Sequence, residues 1–306
     1  MRRVVLFPGA LGDLCMLAPA LAEIAARGER VDLSVQRALV PVARMVLPTA
    51  GLGPPMDGAA MGSLFGPALE AALAERLRTA DRIHAWLRRG DRDGALSRRL
   101  GAFGVPFALH EVPRADAPHH ASIDYATALG VAPLVAVPRA TAPPPSLPLP
   151  WRRQAARRLV LHPGAGASGK MWTLEGFRRL SDAWEAAGGE VVVLLGPAES
   201  AHADAWRAVG RAPLVHLAIT DAAALIASAT FWVGNDSGMS HLAGALARAG
   251  VVVFTTTRAA RWRPLGGRLA AVEVGGRTLD AVVTEIRGRL GWLAAPPYLD
   301  TPRPRH

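Results

Sequence analysis

A chain of 306 residues is long for a single core and suggests two domains of ordinary size, and with 50% hydrophobic residues wholesale disorder is excluded. The formal net charge of +10 favours acidic partners such as phosphorylated sugars, anionic lipid surfaces or nucleic acid. No run approaches ~20 uninterrupted apolar residues, so no membrane-spanning helix is expected. The single cysteine, Cys15, excludes an internal disulfide framework and a cysteine-based metal site.

Met1-Arg2-Arg3 leads straight into a short apolar run that ends at Pro8-Gly9. This reads as a first strand, residues 4–7, and a turn; a secretory signal would need a longer apolar stretch and a small-residue cleavage site. A cytoplasmic location is therefore expected. Residues 14–26 read as a helix with Leu14, Leu17, Leu21 and Ile24 on one face. Residues 31–35 and 83–86 read as strands, and 51–67, rich in Gly, Pro and Met, as a loop. Residues 139–150, with Pro143-Pro144-Pro145, Pro148 and Pro150, have the composition of a stiff linker.

The pattern then restarts. Residues 159–162 read as a strand, Thr173 caps a helix running to about Ala187, and Gly188-Gly189 closes it. A strand at 191–195, a helix near 222–228, a strand at 231–233, a helix from Gly238 and a strand at 251–254 follow. A last amphipathic helix carries Leu279, Val282, Val283, Ile286 and Leu290. Alternating strands and helices predict an α/β protein of two facing Rossmann-like domains, with ligands at the C-terminal ends of parallel strands. The expected division is 1–138, a linker at 139–150, and 151–306, with the last helix a candidate to pack back on the first domain.

Three motifs carry chemistry. The first, Pro8-Gly9-Ala10-Leu11-Gly12-Asp13, joins the first strand to the first helix. Gly9 and Gly12 allow close backbone approach, and a helix N-terminus favours anions. It is not G-x-G-x-x-G, so a dinucleotide site is disfavoured. Asp13 in the first helical turn either balances the helix dipole, the commoner role for that position, or serves as a general base at the cleft rim. The second motif, His162-Pro163-Gly164-Ala165-Gly166-Ala167-Ser168-Gly169-Lys170-Met171-Trp172, contains the only lysine of the chain. Its small residues expose backbone N–H groups suited to a phosphate, although Met171 after the lysine rules out a P-loop. An ordinary surface loop, with Trp172 in the core, is the alternative. The third motif, Gly234-Asn235-Asp236-Ser237-Gly238-Met239-Ser240-His241, follows a strand and opens a helix. Asp236 and Ser237 there are either N-caps or part of an anion or hydroxyl site. His241 falls inside the helix, where lone histidines are mostly structural or exposed. No G-x-S-x-G is present, and His119 and His120 have no motif around them and read as loop residues.

In this order and near these spacings, the three segments resemble the heptosyltransferases of glycosyltransferase family 9. Gly9–Asp13 matches the family's Gly-x-x-Gly-Asp turn, the Pro-Gly-Ala loop reaches a Lys-x-Trp at Lys170-Met171-Trp172, and the Asp-(Ser/Thr)-Gly-x-x-His segment falls at Asp236 to His241. Leu194-Leu195-Gly196-Pro197-Ala198-Glu199 is similar to the family's strand and loop that place an acidic residue near the nucleotide ribose. The second half is the stronger match. The resemblance implies a GT-B fold, an N-terminal acceptor domain, a C-terminal nucleotide-sugar domain and an inverting transfer without metal or cofactor. An ADP-sugar, ADP-heptose in the family, would be the donor. An anionic glycan or glycolipid would be the acceptor, as in lipopolysaccharide biosynthesis.

It implies Asp13 as the base and Lys170 on the leaving diphosphate. Gly164, Gly166, Glu199, Asp236, Ser237, Gly238 and His241 would lie on the donor side, Gly9 and Gly12 on the acceptor side. Peripheral contact with an anionic membrane fits the charge; nucleic-acid binding does not fit the motifs. The chain departs from the family where a Gly-Pro-Thr-like loop is replaced by Thr255-Thr256-Thr257-Arg258. Arg88, Arg89, Arg92, Arg98 and Arg99 either meet an anionic acceptor or form a solvated face. The other readings are a catalytically silent nucleotide-sugar-binding module of the same fold, a nucleotide-sugar epimerase, and a Rossmann oxidoreductase.

Overall fold

The structure, a computed structural model, describes residues 1–132, 139–143 and 157–291; most of the Pro-rich segment 139–150 lies outside them. In the first half, strands β1 (Arg2–Leu6), β2 (Arg30–Ser34), β3 (Gly51–Leu52), β4 (Arg82–Ala85) and β5 (Phe107–Leu109) form a parallel sheet in the order β3-β2-β1-β4-β5. In the second half, β6 (Arg158–His162), β7 (Glu190–Leu195), β8 (Leu214–Val215), β9 (Phe231–Asn235), β10 (Ala249–Phe254) and β11 (Arg268–Glu273) form another, ordered β11-β10-β9-β6-β7-β8. The expected doubly wound α/β pattern is thus built twice. Central strands such as β6, buried along its whole length, are near-continuous apolar runs because helices cover both faces.

The strand order reverses between β1 and β4 in the first sheet and between β6 and β9 in the second. A crevice opens at such a reversal because the connections on either side leave in opposite directions. The first motif follows β1, the second follows β6 and the third follows β9. Sheet topology therefore delivers all three to the crevices.

The segment expected as a loop at 51–67 contains the edge strand β3 and a short helix, Ala59–Gly62. β5, β8 and β11 also escape the hydrophobic pattern. With β3 they are the four sheet edges, and an edge strand is short or part-exposed and needs no sustained apolar run. The Leu11–Ala26 helix buries Leu14, Leu17, Leu21 and Ile24 as expected, and Cys15, Met16, Ala18 and Ala20 as well. It lies between the first sheet and the second domain's Gly238–Ala245 helix. One apolar core runs from Leu14 and Leu17 to Ile226, Trp232 and Leu242. In the Leu279–Arg289 helix, Val282 and Ile286 join the second domain's outer core beside the Leu174–Ala186 helix.

Gly250 on β10 has φ +154°, and a Cβ added there would lie 1.9 Å from the Trp232 carbonyl oxygen on β9. Gly250→Ala is expected to cost at least ~2 kcal/mol, because neighbouring strand backbone cannot yield as a side-chain tip can. Urea unfolding measures this, and wild-type stability would contradict the strand spacing.

Three buried histidines are expected to make the fold acid-sensitive. Burial is the largest cause in each case, lowering His84 to about 3, His162 to about 4 and His241 to about 4, from an ordinary 6.5. Each ring is more easily protonated unfolded than folded. The stability it contributes is complete above about 6.5 and is lost as the pH falls through the folded values. The expected slope is about 1.4 kcal/mol per pH unit for each ring that protonates only on unfolding. Melting temperature followed from pH 7.5 down to pH 4.5 checks this; a flat profile would mean that the rings are hydrated.

Candidate active site

Gly12, Asp13, Gly166, Lys170, Asp236, Ser237, Gly238 and His241 line one cleft of about 260 Å³ between the domains. The close approach that forms it needs glycine. A Cβ on Gly238 would lie 2.9 Å from Leu11 Cβ and 3.2 Å from the Gly12 nitrogen, and one on Gly12 would lie 3.0 Å from His241 Cδ2. Gly9 lies beneath the cleft, where a Cβ would sit 2.4 Å from the Phe7 ring and 3.0 Å from Asp13 Cβ. Gly166 faces open space, and nothing steric requires glycine there.

Asp13 stands both in the first helical turn and on the rim of the cleft. Its Oδ2 accepts from the Ala10 N–H at 3.3 Å, which caps the helix, and its carboxylate borders the cleft. Its Oδ1 accepts a 2.9 Å hydrogen bond from the Tyr125 hydroxyl, a partner the sequence did not reveal. The thiol of neighbouring Cys15 is pushed up to about 12, first by burial and then by the charge of Asp13, so it is no nucleophile.

Lys170 ends the helical turn Ser168–Lys170 and donates to Asp236 Oδ2 at 2.9 Å. Thr257 Oγ1 donates to the same oxygen at 2.6 Å, and Thr255 Oγ1 to the Gly169 carbonyl at 2.7 Å. The departing Thr-Thr-Thr loop thus fastens both the lysine loop and its carboxylate. Asn235, the only asparagine, staples the two ends of the Gly-rich loop: Nδ2 donates to the Pro163 carbonyl at 2.6 Å, and the Trp172 N–H donates to Oδ1 at 3.1 Å. Its uniqueness was the signal available in the sequence. Trp172 itself is core, edge-on to Phe177.

Ser237 occupies the N-cap position of the Gly238–Ala245 helix, yet its side chain makes no cap hydrogen bond. Its Oγ, like His241 Nδ1, is buried without a partner. Buried polar atoms left unpaired beside a cleft fit a ligand that completes them. The lowered His241 ring is neutral at pH 7, able to donate one hydrogen bond without adding charge. Two helix N-termini and Lys170 make the cleft attractive to anions, with Asp13 and Asp236 as the opposing charges. Among the described residues, no group of three or more His, Cys, Asp or Glu could hold a metal ion.

Glu199 and Gly164 lie to one side. Glu199 is buried and lines an apolar pocket of about 140 Å³ with Pro163, Met171, Trp172, Leu195 and Trp206. A Cβ on Gly164 would sit 2.4 Å from the Glu199 carboxyl carbon, so glycine makes room for that side chain. The arginine stretch divides. Arg88, Arg89 and Arg92 line a depression of about 410 Å³, whereas Arg98 and Arg99 bond backbone carbonyls of Asp93, Ser63 and Leu64.

His119 and His120 lie in the loop before the Ala121–Leu129 helix, as expected, and both have partners. His120 Nδ1 caps the Ala121–Leu129 helix through the Ser122 N–H, and its Nε2 lies 2.8 Å from the Arg263 carbonyl oxygen of the second domain. His119 pairs with Asp124. The fully buried Arg261 donates to the carbonyls of Arg114 and His119 and pairs with Asp124, while Arg258 donates to the carbonyls of Ala115 and Ala117. No described helix is long and apolar enough to cross a membrane.

The glycosyltransferase family 9 (heptosyltransferase) model matches residues 126–283, just over half of the chain. The fold is similar to that of E. coli ADP-heptose lps heptosyltransferase II, at 17% identity, with 96% of this chain and 100% of that one covered and a TM-score of 0.69. It is similar to a family 9 glycosyl transferase from Veillonella parvula, at 16% identity, 96% and 98% coverage and a TM-score of 0.70. E. coli heptosyltransferase WaaC with ADP matches at 16% identity, 94% and 100% coverage and a TM-score of 0.65. No curated protein sequence matches the chain. At such identities the structural likenesses speak to the fold alone, and the family match carries the assignment. The chain belongs to glycosyltransferase family 9, the heptosyltransferase family, and is a glycosyltransferase of GT-B fold.

Proposed function

We propose that the protein moves heptose from ADP-heptose to a hydroxyl of an anionic glycan or glycolipid, with inversion and without a metal ion. The observation that carries this reading is the cleft itself, where Asp13 of the first domain faces Lys170, Ser237 and His241 of the second. The nucleoside enters the apolar pocket of Trp172 and Trp206, where Glu199 accepts from the ribose hydroxyls. The diphosphate lies at the N-terminus of the Gly238–Ala245 helix and takes Lys170 as counter-ion, and Ser237 Oγ and His241 gain their missing partners from it. Asp13 removes the proton of the acceptor hydroxyl as that oxygen attacks the anomeric carbon. The bond to the diphosphate breaks with its electron pair, and the developing charge meets Lys170 and the helix end. A diphosphate leaves without an acid, so one base and one cationic cradle suffice.

The acceptor approaches from the first domain, where Arg88, Arg89 and Arg92 at the C-terminal side of the sheet suit its negative groups. The domains fall at 1–138 and 151–306, the first for the acceptor and the second for the donor. With a charge of +10, the protein works in the cytoplasm, in peripheral contact with an anionic membrane face. Homologues of known structure were solved with ADP and with ADP-2-deoxy-2-fluoro heptose, which supports the choice of donor.

ADP at a hundredfold over its Kd is expected to add about 2.7 kcal/mol of stability, undiminished by a chelator. Thermal shift with ADP, UDP and EDTA tests this; a response to UDP alone, or one abolished by EDTA, overturns the donor reading. Lys170→Ala should weaken ADP binding and turnover together, because its charge meets the diphosphate before and during transfer. Asp13→Asn should cut transfer about a hundredfold or more while ADP affinity barely changes. The assay is ADP release from ADP-heptose with lipopolysaccharide stripped of its outer sugars. A variant that melts slightly earlier yet transfers at the wild-type rate would reduce Asp13 to a helix cap.

A further inference from the structure

We propose that Tyr125 is a positioning residue for the transfer, fixing which oxygen of Asp13 faces the acceptor hydroxyl; this rests on the reading of Asp13 as the base. Tyr125 lies in the Ala121–Leu129 helix with no exposed surface, and its hydroxyl donates to Asp13 Oδ1 at 2.9 Å. Its ring is held by Phe7 (centroids 5.8 Å apart, 73°) and Trp86 (5.8 Å, 53°), which contact each other edge-on at 5.4 Å. The three rings come from three elements: the chain just after β1, the chain just after β4, and the helix. Packed in this way the phenol ring has no second place to go, so its hydroxyl is a fixed point.

The two oxygens of Asp13 are held unequally. Oδ1 receives a short bond from a rigid donor, whereas Oδ2 receives only the 3.3 Å contact from the Ala10 N–H. Oδ2 therefore keeps the better-available lone pair. The phenol cannot itself act as base. Burial, and then the charge of Asp13, pushes its pKa far above the ordinary value, so it stays a donor. The step balances: the acceptor proton passes to Asp13 Oδ2, the acceptor oxygen bonds the anomeric carbon, and the sugar–diphosphate bond breaks with its electrons leaving on the diphosphate.

A phenylalanine would fill the same space. A buried hydroxyl is worth keeping only where it has a partner, and here the partner is the proposed base. Tyr125→Phe removes the hydrogen bond and leaves the ring. It is expected to lower kcat about tenfold, with the ADP-heptose KM and the ADP thermal shift changed less than about twofold. Tyr125→Met, which also fills the site without a hydroxyl, should reproduce the loss if the phenylalanine variant folds poorly.

The decisive comparison is the double variant with Asp13→Asn. If Tyr125 acts through Asp13, adding Tyr125→Phe to Asp13→Asn changes the residual rate less than about twofold. The same assay as above supplies every rate. Wild-type kcat in folded Tyr125→Phe overturns the inference, as does an equal loss in both backgrounds, which would make Tyr125 part of the scaffold only. Asp13→Asn transferring at the wild-type rate would instead remove the base itself, and that result stands apart from either outcome for Tyr125.

Discussion

Two helices, one from each half of the chain, meet at the glycines of their first turns, and the arrangement of the cleft follows from that contact. Any side chain at Gly238 would collide with Leu11 and the Gly12 backbone, and one at Gly12 would press on His241. Because these turns touch, the residue after Gly12 and the residue before Gly238 stand on the rim of the same narrow space. Both helices direct the positive ends of their dipoles there. The position of Asp13 opposite Ser237 is thus a consequence of backbone proximity, which only missing Cβ atoms permit.

The charge balance of the cleft rests on the Lys170–Asp236 pair. Lys170 is one-third exposed and Asp236 almost fully buried, so the ion pair holds a carboxylate that would be costly to leave alone. On the proposed reading, a diphosphate draws Lys170 away from Asp236. The Thr257 hydroxyl remains on the same oxygen and softens that loss. The loop that carries Thr257 continues into Arg258 and Arg261, whose guanidinium groups grip the backbone of residues 114–119 in the first domain. Arg261 also pairs with Asp124, one residue before Tyr125. The Asp236 carboxylate, the interdomain clasp and the tyrosine on Asp13 are therefore linked through neighbouring residues, backed by an apolar core common to both domains.

The parts of the fold that were legible in the sequence are those with their own local signal. Central strands announced themselves as apolar runs, and the helix start at Thr173 and its end at Gly188 followed from cap chemistry. The four edge strands did not, because pairing on one side only sets no pattern in the residues themselves. The motif residues placed in the cleft came from loops at strand ends or from the first turn of the helix that follows, where glycine, aspartate and the single lysine stood out. Tyr125, Thr257 and Arg261 were illegible for a different reason. Each acts on a residue distant in the chain, Arg261 across the domain seam, and nothing around it in sequence marks that partner. Ser237 was read either as a cap or as part of an anion site; it stands at the N-cap position, and its hydroxyl is unused by the helix.

Asp13 remains the residue whose two roles compete, and its surroundings weigh them. A carboxylate that served only the helix would need the Ala10 N–H and the dipole, both of which it has at the surface of its own turn. It would not need a tyrosine from a helix more than a hundred residues away, nor a glycine before it that yields space to Phe7 and to its own Cβ. Burying a phenol carries a desolvation cost that capping does not demand. What that hydroxyl adds is orientation: it holds the carboxylate plane still against a ring that cannot turn. Fixed orientation is of little value to a dipole interaction, which varies slowly with angle. It is of much greater value to proton transfer, which requires one lone pair to lie along one O–H bond.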